Sequence, residues 1–61
     1  MERQVAAWAG LTVQDLHAAY RLDAAQRAHG QCVKLISRLT GHVVASLWVS
    51  PSRVSGQLLG A

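Results

Sequence analysis

The stretch that most constrains the fold is the longest apolar one, "QCVKLISRLTGHVVASLWV", residues 31–49. On a helical wheel, at about 100° per residue, one half holds Cys32, Val33, Leu35, Ile36, Leu39, Val43, Val44 and Leu47. The charged residues fall on the other half, and Trp48 falls off the apolar arc. This periodicity predicts a single amphipathic helix over 31–49.

The competing interpretation of this stretch is a β-hairpin over 32–49 that turns at Thr40-Gly41. Its alternation is mixed, because one face of the first strand would carry Cys32, Lys34, Ile36 and Arg38. The valines and the glycine nevertheless suit a hairpin. We therefore predict an all-α fold, a small bundle of three to four helices. A helix-turn-helix followed by a β-hairpin at 32–49 is the alternative.

Glycines and turn residues divide the rest of the chain into shorter helices. Residues 2–9 are predicted to form a first helix that ends at Gly10. Thr12 is a good N-cap for a second helix that continues toward His29. The segment 50–59 would form a last short helix with an inner face of Val54, Leu58 and Leu59. No linker or repeat is found, so residues 1–61 are predicted to be one small helical domain.

The chain is too short to stabilise a large core on its own. A chain of 61 residues buries only about 60% of the surface that its unfolded form exposes. The usual supplements are disulfides, a metal ion or a partner chain. Cys32 is the only cysteine and the three histidines lie far apart in the sequence, so neither a disulfide nor a zinc site is expected. We predict no metal, no cofactor and no catalytic residues, which leaves a partner chain.

Charge is unevenly distributed along the sequence. The three acidic residues all precede Ala24, whereas Arg27, Lys34, Arg38 and Arg53 follow without an acid to balance them. The formal net charge is +3. A basic second half favours an anionic partner.

The N-terminal stretch has the spacing of a helix-turn-helix motif. Ala6 is small enough for two helices to cross closely, and Gly10 suits the turn between them. Leu11 and Leu16 would then pack between the two helices. These are the steric requirements of a helix-turn-helix, and a plain packed helical pair with a tight turn has the same requirements.

Residues 3–22 resemble the MerR/excisionase branch of winged helix-turn-helix proteins. This range is Arg3 followed by "QVAAWAGLTVQDLHAAYRL". The resemblance implies DNA binding, with a β-wing after the recognition helix. It also implies that Thr12 lies near a phosphate and that the DNA is faced by Gln14, His17 and Arg21.

The leading functional prediction is a non-enzymatic binding protein that docks residues 31–59 onto another protein or onto copies of itself. Accessory subunits, virion components and small phage-type inhibitors are of this kind. The predicted interface residues are Leu35, Leu39, Val43, Leu47 and Trp48. A helix-turn-helix regulator that binds DNA is the alternative. Neither a secretory signal nor a transmembrane segment is recognisable, which predicts a cytoplasmic protein or one within a virion or other assembly.

Overall fold

The computed structural model describes residues 1–59 and shows a four-stranded antiparallel sheet with two short helices. In chain order, the elements are α1 (Glu2–Ala9), α2 (Val13–Ala19), β1 (Tyr20–Arg27), β2 (Gly30–Ser37), β3 (Val43–Val49) and β4 (Val54–Leu58). The strands lie side by side in the order of the sequence, so β1 and β4 form the two edges of the sheet. The prediction of an all-α bundle is therefore wrong.

The two helices begin and end where the sequence signals place them. α1 is followed by Gly10, whose φ of 73° is the left-handed conformation that favours glycine. At the start of α2, the Thr12 hydroxyl accepts a hydrogen bond of 3.0 Å from the Asp15 amide. The predicted first helix, its glycine turn and the threonine cap are thus confirmed.

The second helix is much shorter than predicted, since it ends at Ala19 instead of continuing toward His29. Tyr20 and Leu22 both pack against the core, whereas Arg21 is exposed. Residues two positions apart point to nearly opposite sides of a helix but to the same side of a strand. The alternation of apolar and charged residues therefore favours β1.

Residues 31–49 form the hairpin of β2 and β3 instead of the predicted single helix. The strands turn at residues 38–42, close to the Thr40-Gly41 turn of the alternative interpretation. Buried residues face each other across the hairpin, with Val33 opposite Leu47 and Leu35 opposite Ala45. After that pair the register shifts, so that Ile36 lies opposite Val43.

The predicted last helix is also absent from the described residues, because 54–58 form β4. Ser50 does not begin a helix. It stabilises the turn between β3 and β4 instead. Its hydroxyl accepts from the Arg53 amide at 3.3 Å, and its own amide donates to the Arg53 carbonyl at 2.9 Å. This turn directs the chain back antiparallel to β3.

Both helices pack on one face of the sheet, which we call the helix-covered face. Its core contains Val5, Ala6, Leu16, Val33, Leu35, Ala45, Leu47 and Val49. Alternation along the strands places the other residues on the opposite, open face, which includes Arg21, Asp23, Cys32, Lys34, Ile36, Trp48, Ser55 and Gln57. The molecule is thus a two-layer structure with one uncovered sheet face and two edges.

Candidate functional site

The two edges of the sheet differ in charge. β1 carries Arg21, Asp23 and Arg27, whereas β4 has the sequence VSGQL, with no charged residue and no proline. Charges and prolines on an edge strand discourage pairing with another chain. β1 therefore carries charged residues that protect it against such pairing, and β4 carries none.

The backbone of β4 presents unpaired hydrogen-bonding groups at this edge. On its inner side, the Leu59 amide donates to the Val44 carbonyl and the Ser50 amide to the Arg53 carbonyl, both at 2.9 Å. Backbone groups alternate between the two sides of an antiparallel strand, so those of Val54, Gly56 and Leu58 point away from β3. Within residues 1–59, no strand pairs with that side of β4.

Gly56 explains how β4 lies so close to β3. A Cβ atom at this position would be 2.5 Å from both the Leu47 Cδ2 and the Ser46 carbonyl oxygen. Any side chain on the helix-covered face at this point would collide with the neighbouring strand. Because of this glycine, no side chain protrudes from the helix-covered face of β4 between Val54 and Leu58.

An apolar cleft of about 530 Å³ opens beside the end of β4 on the helix-covered face. It is lined by Trp8, Ala9, Leu11, Tyr20, Leu35, Val44 and Leu58. The side chain of Leu58 is 71% exposed at its rim. The exposed leucine, the apolar cleft and the unpaired strand lie side by side, which makes this edge a candidate binding surface.

A second groove, of about 470 Å³, lies between α1 and the other end of β4. Its lining includes Gln4, Ala7, Trp8 and Val54. Trp8 also lines the apolar cleft, so this one half-buried ring borders both concavities. The Gln4 side-chain amide donates to the Ser50 carbonyl at 2.7 Å, which ties α1 to the turn before β4. We call the edge of β4 with these two concavities the β4 surface.

The predicted interface residues do not come together in the structure. Leu35 and Leu47 are each only 2% exposed, because they form the chain's own core. Leu39 is 93% exposed in the turn between β2 and β3. Val43 and Trp48 lie on the open face of β3, where the Trp48 ring covers Gly30. The apolar face of the predicted helix is therefore divided among the core, a turn and the open face.

The residues predicted to face DNA are also separated. Gln14 and His17 lie on α2, whereas Arg21 lies on β1 and Thr12 is engaged in capping. The His17 ring is 3.4 Å from the Glu2 carboxylate. The single recognition helix on which the helix-turn-helix interpretation depended is thus replaced by a short helix and a strand. DNA binding through these residues stays a prediction.

Other surfaces offer less chemistry. A cleft of about 540 Å³ includes Gln26 and Gln31, which are joined by a hydrogen bond of 2.9 Å, and the Gln31 Oε1 atom is buried without a partner. In the described part of the chain, no three His, Cys, Asp or Glu side chains converge as metal ligands would. None of the helices there has the length and hydropathy to cross a bilayer.

Comparison with known proteins returned no matching family model, no matching curated protein and no matching solved structure.

The β4 surface is not among the sites predicted from the sequence, because the sequence predicts a helix over 50–59. Val54 and Leu58 are spaced for a helical face, but they also fit a strand with Gly56 between them on the same side. A glycine inside a strand pattern is typical of a close backbone approach. The absence of charge from this segment was the signal that could have found the edge.

Proposed function

We propose that this chain is a non-enzymatic protein-binding module and that a strand of the partner pairs with the open edge of β4. The observation that carries the proposal is Leu58, 71% exposed on an uncharged edge strand. Strand addition to a sheet edge is a recurrent mode of polypeptide recognition. It needs only an unpaired strand and a surface that receives side chains, and β4 supplies both.

Backbone pairing would supply the affinity of such a complex. The outward N–H and C=O groups of Val54, Gly56 and Leu58 are presented in a fixed, extended geometry by β3. When a partner strand hydrogen-bonds to them, β4 loses little conformational entropy, because it is already held in the sheet. The site is therefore organised before the partner arrives.

The apolar cleft would supply the selectivity. Side chains of an added strand alternate between the two faces of the sheet, so alternate residues of the partner meet the helix-covered face. There they reach Trp8 and Leu58, which line the cleft. The partner strand should accordingly carry an apolar residue at that position and uncharged residues beside it.

The chemistry at this surface, apolar side chains and backbone amides, suits binding more than the making or breaking of bonds. Cys32 is a free thiol on the open face of β2, away from the β4 edge. A free thiol in a chain with no other cysteine fits a reducing compartment. The cytoplasm, or a larger assembly within it, is therefore the setting that we propose.

Photocrosslinking at the edge tests this function directly. A benzophenone amino acid in place of Leu58 is expected to form a covalent adduct with the partner when the chain is illuminated in its native cells. The same amino acid in place of Ala24 is the control, because Ala24 is exposed at the opposite edge on the same face. Mass spectrometry of the adduct identifies what is bound. Equal adducts from both positions, or none from position 58, would refute the β4 surface as the site.

A further inference from the structure

The geometry points to a second copy of this chain as the partner. We propose that two β4 strands pair antiparallel about a twofold axis through Gly56 and so join two sheets into one. This inference depends on the proposed function, since it names the occupant of the same edge. It follows from the register, the shape and the charge of that edge.

The register favours an axis at Gly56. With the axis there, Val54 of each copy lies opposite Leu58 of the other, and the two Gly56 residues face each other. All the outward residues of β4 then exchange both of their backbone hydrogen bonds. An axis at Ser55 or at Gln57 would leave one outward residue without a partner inside β4. The strand is thus complementary to itself in one register, as a twofold interface requires.

The same register places a protruding side chain opposite a groove. Leu58 of one copy would lie beside Val54 of the other, where the groove between α1 and β4 opens. The lining of that groove includes Ala7 and Trp8, which the leucine would contact, and also the polar residues Gln4, Ser52 and Arg53. The contact occurs twice, once on each side of the axis. Each copy therefore supplies both the side chain and the groove that receives it.

The charge distribution of β4 permits the pairing of two copies. On the open face, this register places Ser55 opposite Gln57, so no ionised groups meet. The nearest charge is Arg53, and the two copies of it would be about 20 Å apart at 3.3 Å per residue. That separation exceeds the screening length of about 8 Å at physiological ionic strength. Two β4 strands can therefore pair without placing like charges opposite each other.

Sedimentation equilibrium of the purified chain from about 1 to 500 µM is the test. We expect a monomer–dimer equilibrium whose dissociation constant falls within or below this concentration range. N-methylation of the Gly56 amide, in a chemically synthesised chain, should weaken the dimer at least tenfold, because each copy loses an outward donor and gains a methyl group at the axis. The intramolecular ladder to β3 does not use this amide and stays intact.

N-methylation of the Ala24 amide is the matched control. Ala24 is a small residue on the other edge strand, β1. The Arg38 amide donates a hydrogen bond of 3.0 Å to the Ala19 carbonyl, so the backbone groups of Ala19 face β2. Because these groups alternate along the strand, the Ala24 amide points away from β2. The dimer should be unchanged in this control. Leu58→Lys, at an exposed position, is a second variant, and it should dissociate the dimer without unfolding the chain. Ala24→Lys is its control and should leave the dimer intact.

A disulfide test checks the register. Cys32→Ser is combined with Val54→Cys in one chain and with Leu58→Cys in another, and the two are mixed with oxidised glutathione. Residues opposite in a hydrogen-bonded pair have Cα atoms about 5.5 Å apart, which suits a disulfide. We expect the mixed 54–58 disulfide in at least tenfold excess over 54–54 and 58–58.

A monomer at 500 µM, or equal weakening by both N-methyl groups, would overturn the second copy as partner. If position 58 still crosslinks to a different protein in cells, the proposed function stands without it. If position 58 crosslinks to nothing, both the proposed function and this inference fail. Predominant 54–54 or 58–58 disulfides would overturn the axis at Gly56.

Discussion

Leu35→Ala is expected to unfold most of the chain at 25 °C, whereas Leu39→Ala is expected to leave its stability almost unchanged. Leu35 is 2% exposed in the centre of the core, and Leu39 is 93% exposed in a turn. Truncating a buried leucine lowers the free energy of unfolding by about 2–5 kcal/mol. Cores of chains this small rarely supply more than about 3–5 kcal/mol in total, so the loss at Leu35 is comparable with the whole stability.

Urea denaturation followed by tryptophan fluorescence and circular dichroism measures both variants. The pair is matched because the same atoms are removed from the same residue type four positions apart. In the single helix predicted over 31–49, both leucines would be buried and both variants would be unstable. A loss of 2 kcal/mol or more (about that of a core leucine) at Leu39 would therefore contradict the hairpin.

The parts of the fold that depend on near neighbours in sequence were predictable. α1, its end at Gly10 and the cap at Thr12 each involve residues within about four positions of one another. A helix cap or a left-handed glycine has the same chemistry in any fold. Their prediction from the sequence was for that reason reliable, even though the fold class was wrong.

The hairpin of β2 and β3 was missed because its stabilising contacts lie far apart in the chain. The register shift after Leu35 breaks the alternation of β3, so that Val44 as well as Ala45 contacts the core. Because the alternation of two is interrupted there, Val43, Val44 and Leu47 fall on the apolar half of a helical wheel, which favours the helical interpretation. The mixed face of β2, with Cys32, Lys34 and Ile36, is compatible with a strand because both helices within residues 1–59 pack on the other face of the sheet.

The binding surface was harder to predict than the core, because it combines elements from both ends of the chain. Trp8 of α1 and Leu58 of β4 are brought to one cleft only when four strands have paired in order. The predicted interface over 31–59 did include β4. Its named residues belong to the core, a turn and the open face, because hydrophobicity along the sequence does not tell which apolar side chains the chain itself covers.

Gly56→Ala is expected to detach β4 from β3. The added methyl group would be 2.5 Å from the Ser46 carbonyl oxygen and 2.8 Å from the Leu47 Cα, and both belong to the backbone of an inner strand. β3 is paired on both sides whereas β4 is paired on one, so the edge strand is the element that we expect to shift. Forcing extra volume into a packed position costs about 1–3 kcal/mol, and the loss of the β4 hydrogen bonds adds to it.

Gly41→Ala is the control for the glycine itself. Gly41 has a φ of 76°, and a Cβ added there meets nothing within 4 Å. Its replacement should cost only the penalty of a left-handed residue, about 1–2 kcal/mol, with no change in β4. The measurement is amide hydrogen exchange at Ser55 and Gln57, whose N–H groups face β3, together with urea denaturation. We expect both amides to lose protection in Gly56→Ala and to keep it in Gly41→Ala. Retained protection in both variants would mean that β4 does not approach β3 as closely as the structure shows, and the open edge would then lose the rigid backing on which strand addition depends.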